Sequence, residues 1–273
     1  MIEDDRGRID YDEAGAGPTV VLVPGSWGTR SAWREVVAAL GSRYRIVTTS
    51  LLGYGGTAER RTPDDIAMER EAEIVEAVID RAGGAVHLVG HSYGGQVCLA
   101  VAARPKAAIA TLTVIEPTVF GLLQQASELA LYEQVTTVRD GYFRAFANGE
   151  KEAARRVIAF YSGEGSFDAL PQRMRDYIVA TTQANIYDWQ TGFGMPSSVY
   201  AGISVPSLIL RGEHGHPSMA RVAELLGSSL PDASLVTVAG AGHFMIATHA
   251  ADVARLISAA VSGNRDAGGE RNV

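Results

Sequence analysis

Cysteine and lysine are scarce in this chain of 273 residues, which has one cysteine and two lysines against 22 arginines. The single cysteine, Cys98, cannot form an internal disulfide, which excludes a disulfide-stapled fold and favours a reducing compartment. A small, buried, apolar role is more typical of such a residue than a reactive thiol. We interpret the excess of arginine over lysine as a bias of genomic base composition and not as a functional signal.

Long hydrophobic runs and basic surfaces are missing as well. No apolar segment approaches the length of a membrane span, and the acidic first residues contain no apolar core of a secretory signal. The formal net charge is −7 and no basic stripe is present, which argues against nucleic acids and anionic membranes as partners. We therefore expect a cytoplasmic protein whose partner is a small molecule.

Strand and helix patterns alternate along most of the chain. Apolar residues make up 47% of it, enough for a sizeable core in one large α/β domain. Nearly continuous apolar strands are typical of a parallel sheet buried on both faces, and the alternation indicates βαβ units. The sequence therefore predicts an α/β, doubly wound, mostly parallel sheet. The predicted strands are residues 8–12, 19–23, 44–48, 85–89, 110–115, 207–210 and 234–238, and the predicted helices are residues 31–40, 64–82, 96–103, 218–226 and 249–261.

The alternation is interrupted between residues 118 and 200, which contain helical patterns at 122–131, 135–146, 151–161 and 171–181 but no convincing strand. This stretch is also rich in aromatic residues. We predict a helical cap over residues 118–200, inserted into a core that comprises residues 1–117 and 201–262. The polar, glycine-rich residues 263–273 are expected to be disordered.

The most informative motif is a Gly-x-Ser-x-Gly frame at residues 90–94, with Ser92 at its centre. An apolar strand precedes it and a helix of small residues follows it. A serine on such a sharp strand-to-helix turn projects its hydroxyl away from the backbone, and the flanking glycines remove Cβ atoms that would clash. Because a free serine is a poor nucleophile, this interpretation requires a base and an orienting acid elsewhere in the chain.

His243 is the strongest candidate for the base, because it follows the last predicted strand in a loop of small residues. Small residues leave room for an imidazole at the carboxyl edge of the sheet, where such sheets bind ligands. His91 and His87 are expected to be structural. His214 and His216 are too few and too close to a proline to predict a metal site on their own.

Two backbone N–H groups should stabilise an oxyanion near the serine. The first is that of Tyr93, directly after the nucleophile. The second should come from the loop at residues 24–28, where we assign it to Ser26, with Trp27 as the alternative. An ordinary strand-to-helix turn is the competing interpretation of this loop, which its small, glycine-rich sequence makes less favourable.

These motifs, in this order, resemble the α/β-hydrolase family: a strand followed by Pro24-Gly25, the serine frame, a helical insertion, and His243 after Gly240-Ala241-Gly242. The glycine-rich residues 51–57 are also similar to a loop of that family. The family often has a His-Gly pair where this chain has Pro24-Gly25, a departure that should not disable a site built from backbone amides. The resemblance implies serine-esterase or lactonase chemistry with no metal or organic cofactor.

The acid of the triad is not where the resemblance implies. The family usually places an aspartate about three residues past a glycine that follows the strand at 207–210, and this chain has Gly215 there. Glu116, at the end of the strand at 110–115, is the leading substitute. Some members, including zearalenone-type lactonases and some haloalkane dehalogenases, carry a glutamate after that strand. Glu213 is the alternative, and the absence of any acid is a third possibility.

Other carboxylates are less suitable as the orienting acid. Those of the cap lie on helices above the histidine, and one lies at the opposite edge of the sheet; these are Asp140, Asp168, Asp176, Asp188 and Asp232. Glu116 also has a structural interpretation, since an acidic residue at this position can simply line a pocket or cap the turn into the lid.

The predicted activity is acyl transfer on a hydrophobic ester or lactone, because aromatic residues of the cap suit an apolar pocket. Most of those aromatics should hold the cap together, and Trp189 and then Trp27 are the residues we expect to face the substrate. Two alternatives stay open: a lyase or C–C bond hydrolase on the same serine and histidine, and a non-catalytic ligand-binding protein.

Overall fold

A computed structural model describes residues 1–4 and 7–264 of the chain. Its centre is a sheet of seven strands in the order β3-β5-β4-β6-β7-β8-β9, in which β3 is antiparallel to β5 and all other neighbours are parallel. The strands β1 and β2 form a separate antiparallel pair. Their bounds are β1 Ile2–Asp4, β2 Gly7–Ile9, β3 Tyr11–Ala14, β4 Thr19–Val23, β5 Arg45–Thr49, β6 Val86–His91, β7 Ile109–Ile115, β8 Ser207–Gly212 and β9 Ala233–Val238.

Helices cover both faces of this sheet, as the continuous apolar strands predict. In β4, Val20 and Leu22 pack into one apolar cluster with α1 and α12, while Val21 and Val23 pack into another with α2, α3 and α10. Alternate side chains of one strand thus enter opposite cores. The core helices are α1 Arg34–Leu40, α2 Met68–Ala82, α3 Tyr93–Ala102, α10 Pro217–Ser229, α11 Met245–Thr248 and α12 Ala250–Val261.

Two sequence predictions about these elements are wrong. The predicted edge strand at 8–12 is divided between β2 and β3. The predicted helix at 64–82 begins only at Met68, because Thr62 and Asp65 pair with each other in a short bridge that turns the chain before the helix. The prediction of disorder for residues 263–273 falls outside the described residues except at its first two positions.

The segment between β7 and β8 crosses over the carboxyl edge of the sheet. It consists of α4 Gly121–Gln125, α5 Leu129–Ala147, α6 Arg155–Ser162, α7 Gln172–Ala180, α8 Thr182–Gln190 and α9 Ser197–Tyr200. The prediction of a single helix at 122–131 is wrong. The helical conformation is interrupted between α4 and α5 at Ser127, which has a φ of 61°. Helix α8 was not predicted, although three of its residues line the cavity described below.

Within residues 1–4 and 7–264, none of the helices combines the length and the hydrophobicity that crossing a bilayer would require.

Candidate active site

Ser92 occupies the turn between β6 and α3, with φ 55° and ψ −124°, a conformation that few side-chain-bearing residues adopt. Tight packing holds it there. A Cβ at Gly90 would lie 2.4 Å from the carbonyl oxygen of Gly94, and one at Gly94 would lie 2.2 Å from that of Pro24. The two glycines of the frame are therefore required by close approach of the backbone on either side of the serine.

His243 lies against Ser92, as predicted. Its Nε2 is 3.0 Å from the Ser92 Oγ, and both side chains are almost completely buried. The loop at residues 239–242, which follows β9, carries the imidazole to this position. The distance is within hydrogen-bonding range for a nucleophile and a base.

Glu116 lies on the other side of the imidazole. Its Oε2 is 3.3 Å from His243 Nδ1, and its Oε1 accepts the backbone N–H of Gly212 at 2.7 Å. Because a carboxylate only accepts, Nδ1 carries the proton in this arrangement and Nε2 is free to accept from the Ser92 hydroxyl. The structure thus brings together the three residues that the sequence proposed as a triad.

The register of the sheet explains how an acid on β7 reaches this histidine. The N–H of Ser92 donates to Ile115 and that of Glu116 donates to Leu210, so the ends of β6, β7 and β8 are tied side by side. Glu116 has a φ of 49°, a left-handed conformation that turns the chain out of the strand. Its long side chain then extends across the end of β8 to His243.

Glu213, the alternative acid, does not contact the histidine. Its Oε2 accepts the backbone N–H of Gly240 at 2.7 Å, and its side chain is exposed. The carboxylate therefore points out of the sheet edge, as expected for a residue two positions away from the usual place of the acid.

Two further rings surround the His243 imidazole. The ring of Tyr161, from α6 of the inserted segment, is stacked on it with 3.9 Å between centroids and 12° between planes. The Nε2–H of His91 donates to the carbonyl of His243 at 2.8 Å. Burial, with the nearby His243, lowers the pKa of His91 to about 3, so this ring is neutral. This hydrogen bond fits the structural interpretation of His91, whereas the stacking of Tyr161 on His243 was not predicted.

The loop at residues 24–28 lies directly over the nucleophile. A Cβ at Gly25 would be 2.8 Å from that of Ser92, so the backbone at Gly25, which Ser26 directly follows in the chain, lies close to the nucleophile. The N–H of Tyr93 opens this helix and has no acceptor within it. Both predicted oxyanion donors therefore belong to backbone that borders Ser92.

The side chain of Ser26 has a partner that the sequence analysis did not identify. Its hydroxyl donates to Asp188 of α8 at 2.5 Å, and Tyr54 donates to the same carboxylate oxygen at 2.6 Å. The other oxygen of Asp188 pairs with Arg61 at 2.7 Å, and Arg61 also pairs with Glu71 at 3.0 Å. No local pattern in the sequence indicates this network, because Asp188 lies in a stretch of mixed polar and aromatic residues.

Burial dominates the electrostatics of this network. It raises the pKa of Asp188, against the opposing effects of Arg61 and of the hydrogen bonds from Ser26 and Tyr54. It also raises the pKa of Glu71 to about 8, with Arg61 lowering it. One buried guanidinium cannot neutralise two buried carboxylates, so the fold favours protonated Glu71 at neutral pH.

The Ser92 hydroxyl faces a mostly apolar cavity of ≈ 450 Å³ between the sheet edge and the inserted helices. This volume suits a small organic molecule. Trp189 and Trp27, the two tryptophans predicted to face a substrate, both line it. The apolar lining from the inserted segment includes Phe120, Val157, Ile158, Leu170, Met174, Ile178 and Phe193.

The remaining candidates lie outside this site. Among residues 1–4 and 7–264, no group of three or more His, Cys, Asp or Glu side chains is placed to hold a metal ion. His214 is exposed, and His216 caps α10 by accepting the N–H of Ser218. Cys98 is fully buried, and burial raises the pKa of its thiol.

Comparison with known proteins gives these features a context. Residues 20–256 match the profile of the alpha/beta hydrolase family. The polyketide synthase ThaQ of Burkholderia thailandensis is 27% identical over 250 residues, which are 89% of this chain but only 12% of the synthase. A pimeloyl-[acyl-carrier protein] methyl ester esterase of Nitrosomonas europaea is 24% identical over 247 residues, 86% of this chain and 92% of the esterase.

A solved structure shows the same fold. The enol-lactonase from Burkholderia xenovorans LB400 superposes with a TM-score of 0.74 at 19% identity, covering 93% of this chain and 96% of the lactonase.

Proposed function

Because the chain belongs to the alpha/beta hydrolase family, we propose that it is a serine hydrolase that cleaves a carboxylic ester or lactone of a hydrophobic small molecule. The observation that carries the proposal is the hydrogen-bonded series of Ser92, His243 and Glu116 at the wall of a mostly apolar cavity. The names of two relatives, a methyl ester esterase and an enol-lactonase, support the same class of bond.

The reaction starts with proton transfer from the Ser92 hydroxyl to His243 Nε2 as Oγ attacks the ester carbonyl carbon. The backbone N–H groups of Ser26 and Tyr93 donate to the oxyanion that forms. His243 then gives its proton to the leaving alcohol oxygen, and the C–O bond breaks to leave an acyl-enzyme on Ser92.

Deacylation reverses the roles. His243 Nε2 takes a proton from water as the water oxygen attacks the acyl carbon, and the Ser92 oxygen leaves with that proton. Glu116 accepts from Nδ1–H throughout, which fixes the tautomer and stabilises the imidazolium. Every step uses side chains and backbone amides of the chain itself.

The cavity lining favours a neutral, hydrophobic substrate. Among the described residues that line it, none is lysine or arginine, and Asp188 is already bonded to Ser26, Tyr54 and Arg61. A substrate with carboxylates at both ends would find no cation there. This favours simple esters and lactones over charged substrates of a C–C bond hydrolase or lyase.

A non-catalytic binding role has less support than hydrolysis. The main argument for a binding role is that position 215 is a glycine and carries no acid. Glu116, which follows β7, is hydrogen-bonded to His243 and takes the place of that acid.

Labelling of the nucleophile tests the proposal. The protein is incubated with a fluorophosphonate probe and, separately, with p-nitrophenyl butyrate. We expect covalent labelling and turnover that are abolished in Ser92→Ala and retained in Ser228→Ala, a control at an exposed serine of α10. If the wild-type protein shows no labelling and no turnover, that result would favour a binding protein instead.

A further inference from the structure

Two carboxamide side chains line the cavity above Ser92, and they differ in one respect. Gln96 has partners at both ends: its Nε2 donates to the carbonyl of Gly192 at 3.0 Å, and its Oε1 accepts from the Thr118 hydroxyl at 3.1 Å. Asn185 is 0% exposed, and neither its Oδ1 nor its Nδ2 has a hydrogen-bond partner within the described part of the chain. One carboxamide is thus part of the scaffold and the other is unsatisfied.

An unsatisfied buried carboxamide is costly, because folding removes its water without replacing the hydrogen bonds. Leucine, which is close in size, would avoid that cost. An asparagine at this position is therefore explained by a hydrogen-bonding partner that is present only when a ligand is bound.

The surroundings of Asn185 indicate where that partner is bound. Asn185, Asp188 and Trp189 are spaced i, i+3 and i+4 on α8 and share one face, and all three line the cavity. Asp188 is already bonded to protein groups on both oxygens. The Trp27 indole N–H in the same cavity wall also lacks a partner, but it can only donate. Of these two buried lining groups without a partner in the described residues, Asn185 is the one that can both donate and accept.

We propose that Asn185 is a substrate-recognition residue, and that the substrate is a hydrophobic ester or lactone bearing a hydroxyl group away from the scissile bond. A hydroxyl both donates and accepts, so it can give its proton to Oδ1 and accept from Nδ2. The rest of the molecule contacts the apolar walls. This inference rests on the proposed function for the identity of the bond that is cleaved, but the hydroxyl subsite itself is defined by Asn185.

A matched set of esters tests the subsite. The probes are methyl 3-phenylpropanoate and its 2-, 3- and 4-hydroxyphenyl counterparts, and kcat/KM is measured for each with the wild-type protein, Asn185→Leu and Gln96→Leu. We expect the wild-type protein to favour at least one hydroxylated isomer by about 10-fold or more, because a binding group left unpaired by the wrong substrate discriminates strongly. Asn185→Leu should lose this preference, and Gln96→Leu should keep it.

Stability provides a second readout that separates recognition from scaffolding. Asn185→Leu removes an unsatisfied group, so its Tm should be at least that of the wild-type protein, whereas Gln96→Leu leaves Gly192 and Thr118 unpaired and should lower Tm by about 2–4 °C or more. If Asn185→Leu fails to fold, Asn185→Ala is measured in its place, and loss of the fold in both variants would overturn the proposal. Equal kcat/KM for all four esters in the wild-type protein, or an unchanged preference in Asn185→Leu, would overturn it too.

Binding to Ser92→Ala distinguishes failure of the subsite from failure of the proposed chemistry. The same four esters are titrated calorimetrically into Ser92→Ala and into Ser92→Ala/Asn185→Leu. A hydroxyl preference in Kd that disappears in the double variant supports the subsite even if the wild-type protein hydrolyses none of the esters. Turnover with no hydroxyl preference in either Kd or kcat/KM would leave the hydrolase proposal intact and overturn the subsite.

Discussion

The carboxylate of Glu116 fills the space beside Gly215. A Cβ built on Gly215 would lie 3.1 Å from Oε1 and 3.3 Å from Oε2 of Glu116. A side chain at position 215 would therefore be in tight contact with the carboxylate of Glu116, which would have to shift by a few tenths of an ångström. The acid that contacts His243 thus lies at the end of β7, one strand away from the loop after β8 where the resemblance placed it, and Gly215 leaves room for it there.

An aspartate at position 215 should support catalysis only when Glu116 is removed. We expect Glu116→Ala to lower kcat by about 10³- to 10⁴-fold, as removal of a triad acid does in other hydrolases. Gly215→Asp alone should also be impaired, because it sets two carboxylates in contact. The kcat of the double variant Glu116→Ala/Gly215→Asp for p-nitrophenyl butyrate should exceed that of Glu116→Ala by about 10-fold or more.

Glu213→Gln is the matched control for that series. Glu213 follows β8, as Gly215 does, but its carboxylate bonds to Gly240. Its kcat should stay within about 3-fold of the wild-type value, as expected for a group outside the triad. A loss comparable to that of Glu116→Ala would contradict the assignment of the acid.

The hydroxyl of Ser26 anchors the loop over Ser92 to the inserted helix α8 through Asp188. Ser26→Ala keeps the backbone N–H but removes one donor to a buried carboxylate. We expect the free energy of unfolding to fall by about 1–3 kcal/mol, because a buried acceptor loses a partner. The kcat should fall by roughly 10-fold because the oxyanion donor loses its support.

Ser31→Ala, at an exposed serine that follows the same loop, is the control for Ser26→Ala. Urea unfolding and kcat measured on both variants check this prediction. Equal effects of the two changes would argue against a specific link through Asp188.

Tyr161 should assist catalysis through its ring and not through its hydroxyl. An aromatic face stacked on an imidazole that becomes positively charged stabilises the cation by about 0.5–2 kcal/mol. Tyr161→Leu should therefore lower kcat by roughly 3- to 30-fold, while Tyr161→Phe keeps the stacking and should retain most of the activity. Identical losses in both variants would point to the hydroxyl instead.

Glu71 should make stability depend on pH in an unusual direction. Its pKa in the folded state, about 8, lies above the ordinary value of 4.5, so the fold favours the protonated form. Its contribution to stability is fully present below pH 4.5 and is lost as the pH rises through about 8. The free energy of unfolding of the wild-type protein, relative to Glu71→Gln, should fall over this interval by up to about 1.4 kcal/mol per pH unit.

Urea unfolding of the wild-type protein and Glu71→Gln at several pH values between these limits measures that slope. Glu73→Gln, a change on the same helix at a partly exposed position, is the control and should run parallel to the wild-type protein. A wild-type curve parallel to that of Glu71→Gln would show that Glu71 stays ionised in the fold.

Local pattern was sufficient for the elements that form the sheet. The prediction for β4 coincides with Thr19–Val23, and those for β5 to β9 differ from the observed bounds by one or two residues, because strands buried on both faces must be continuously apolar. The α/β-hydrolase fold inferred from the resemblance is confirmed by the family match and by the solved structures. Helix α8 escaped prediction because nearly all of its residues, polar ones included, are buried, so its sequence has no apolar stripe along one face.

The sequence by itself determined the place of Ser92 and His243, because a turn between an apolar strand and a helix, and a loop of small residues after the last strand, are properties of neighbouring positions. Tertiary structure decided which candidate acid reaches His243, and it created contacts that no local pattern indicates. Glu116 approaches Gly215 across 99 positions of the chain and Ser26 bonds to Asp188 across 162 positions, while the Asn185 carboxamide has no hydrogen-bond partner within the described residues. Such relationships leave no periodicity in the chain, since they arise only when packing removes water from groups that local sequence does not bring together.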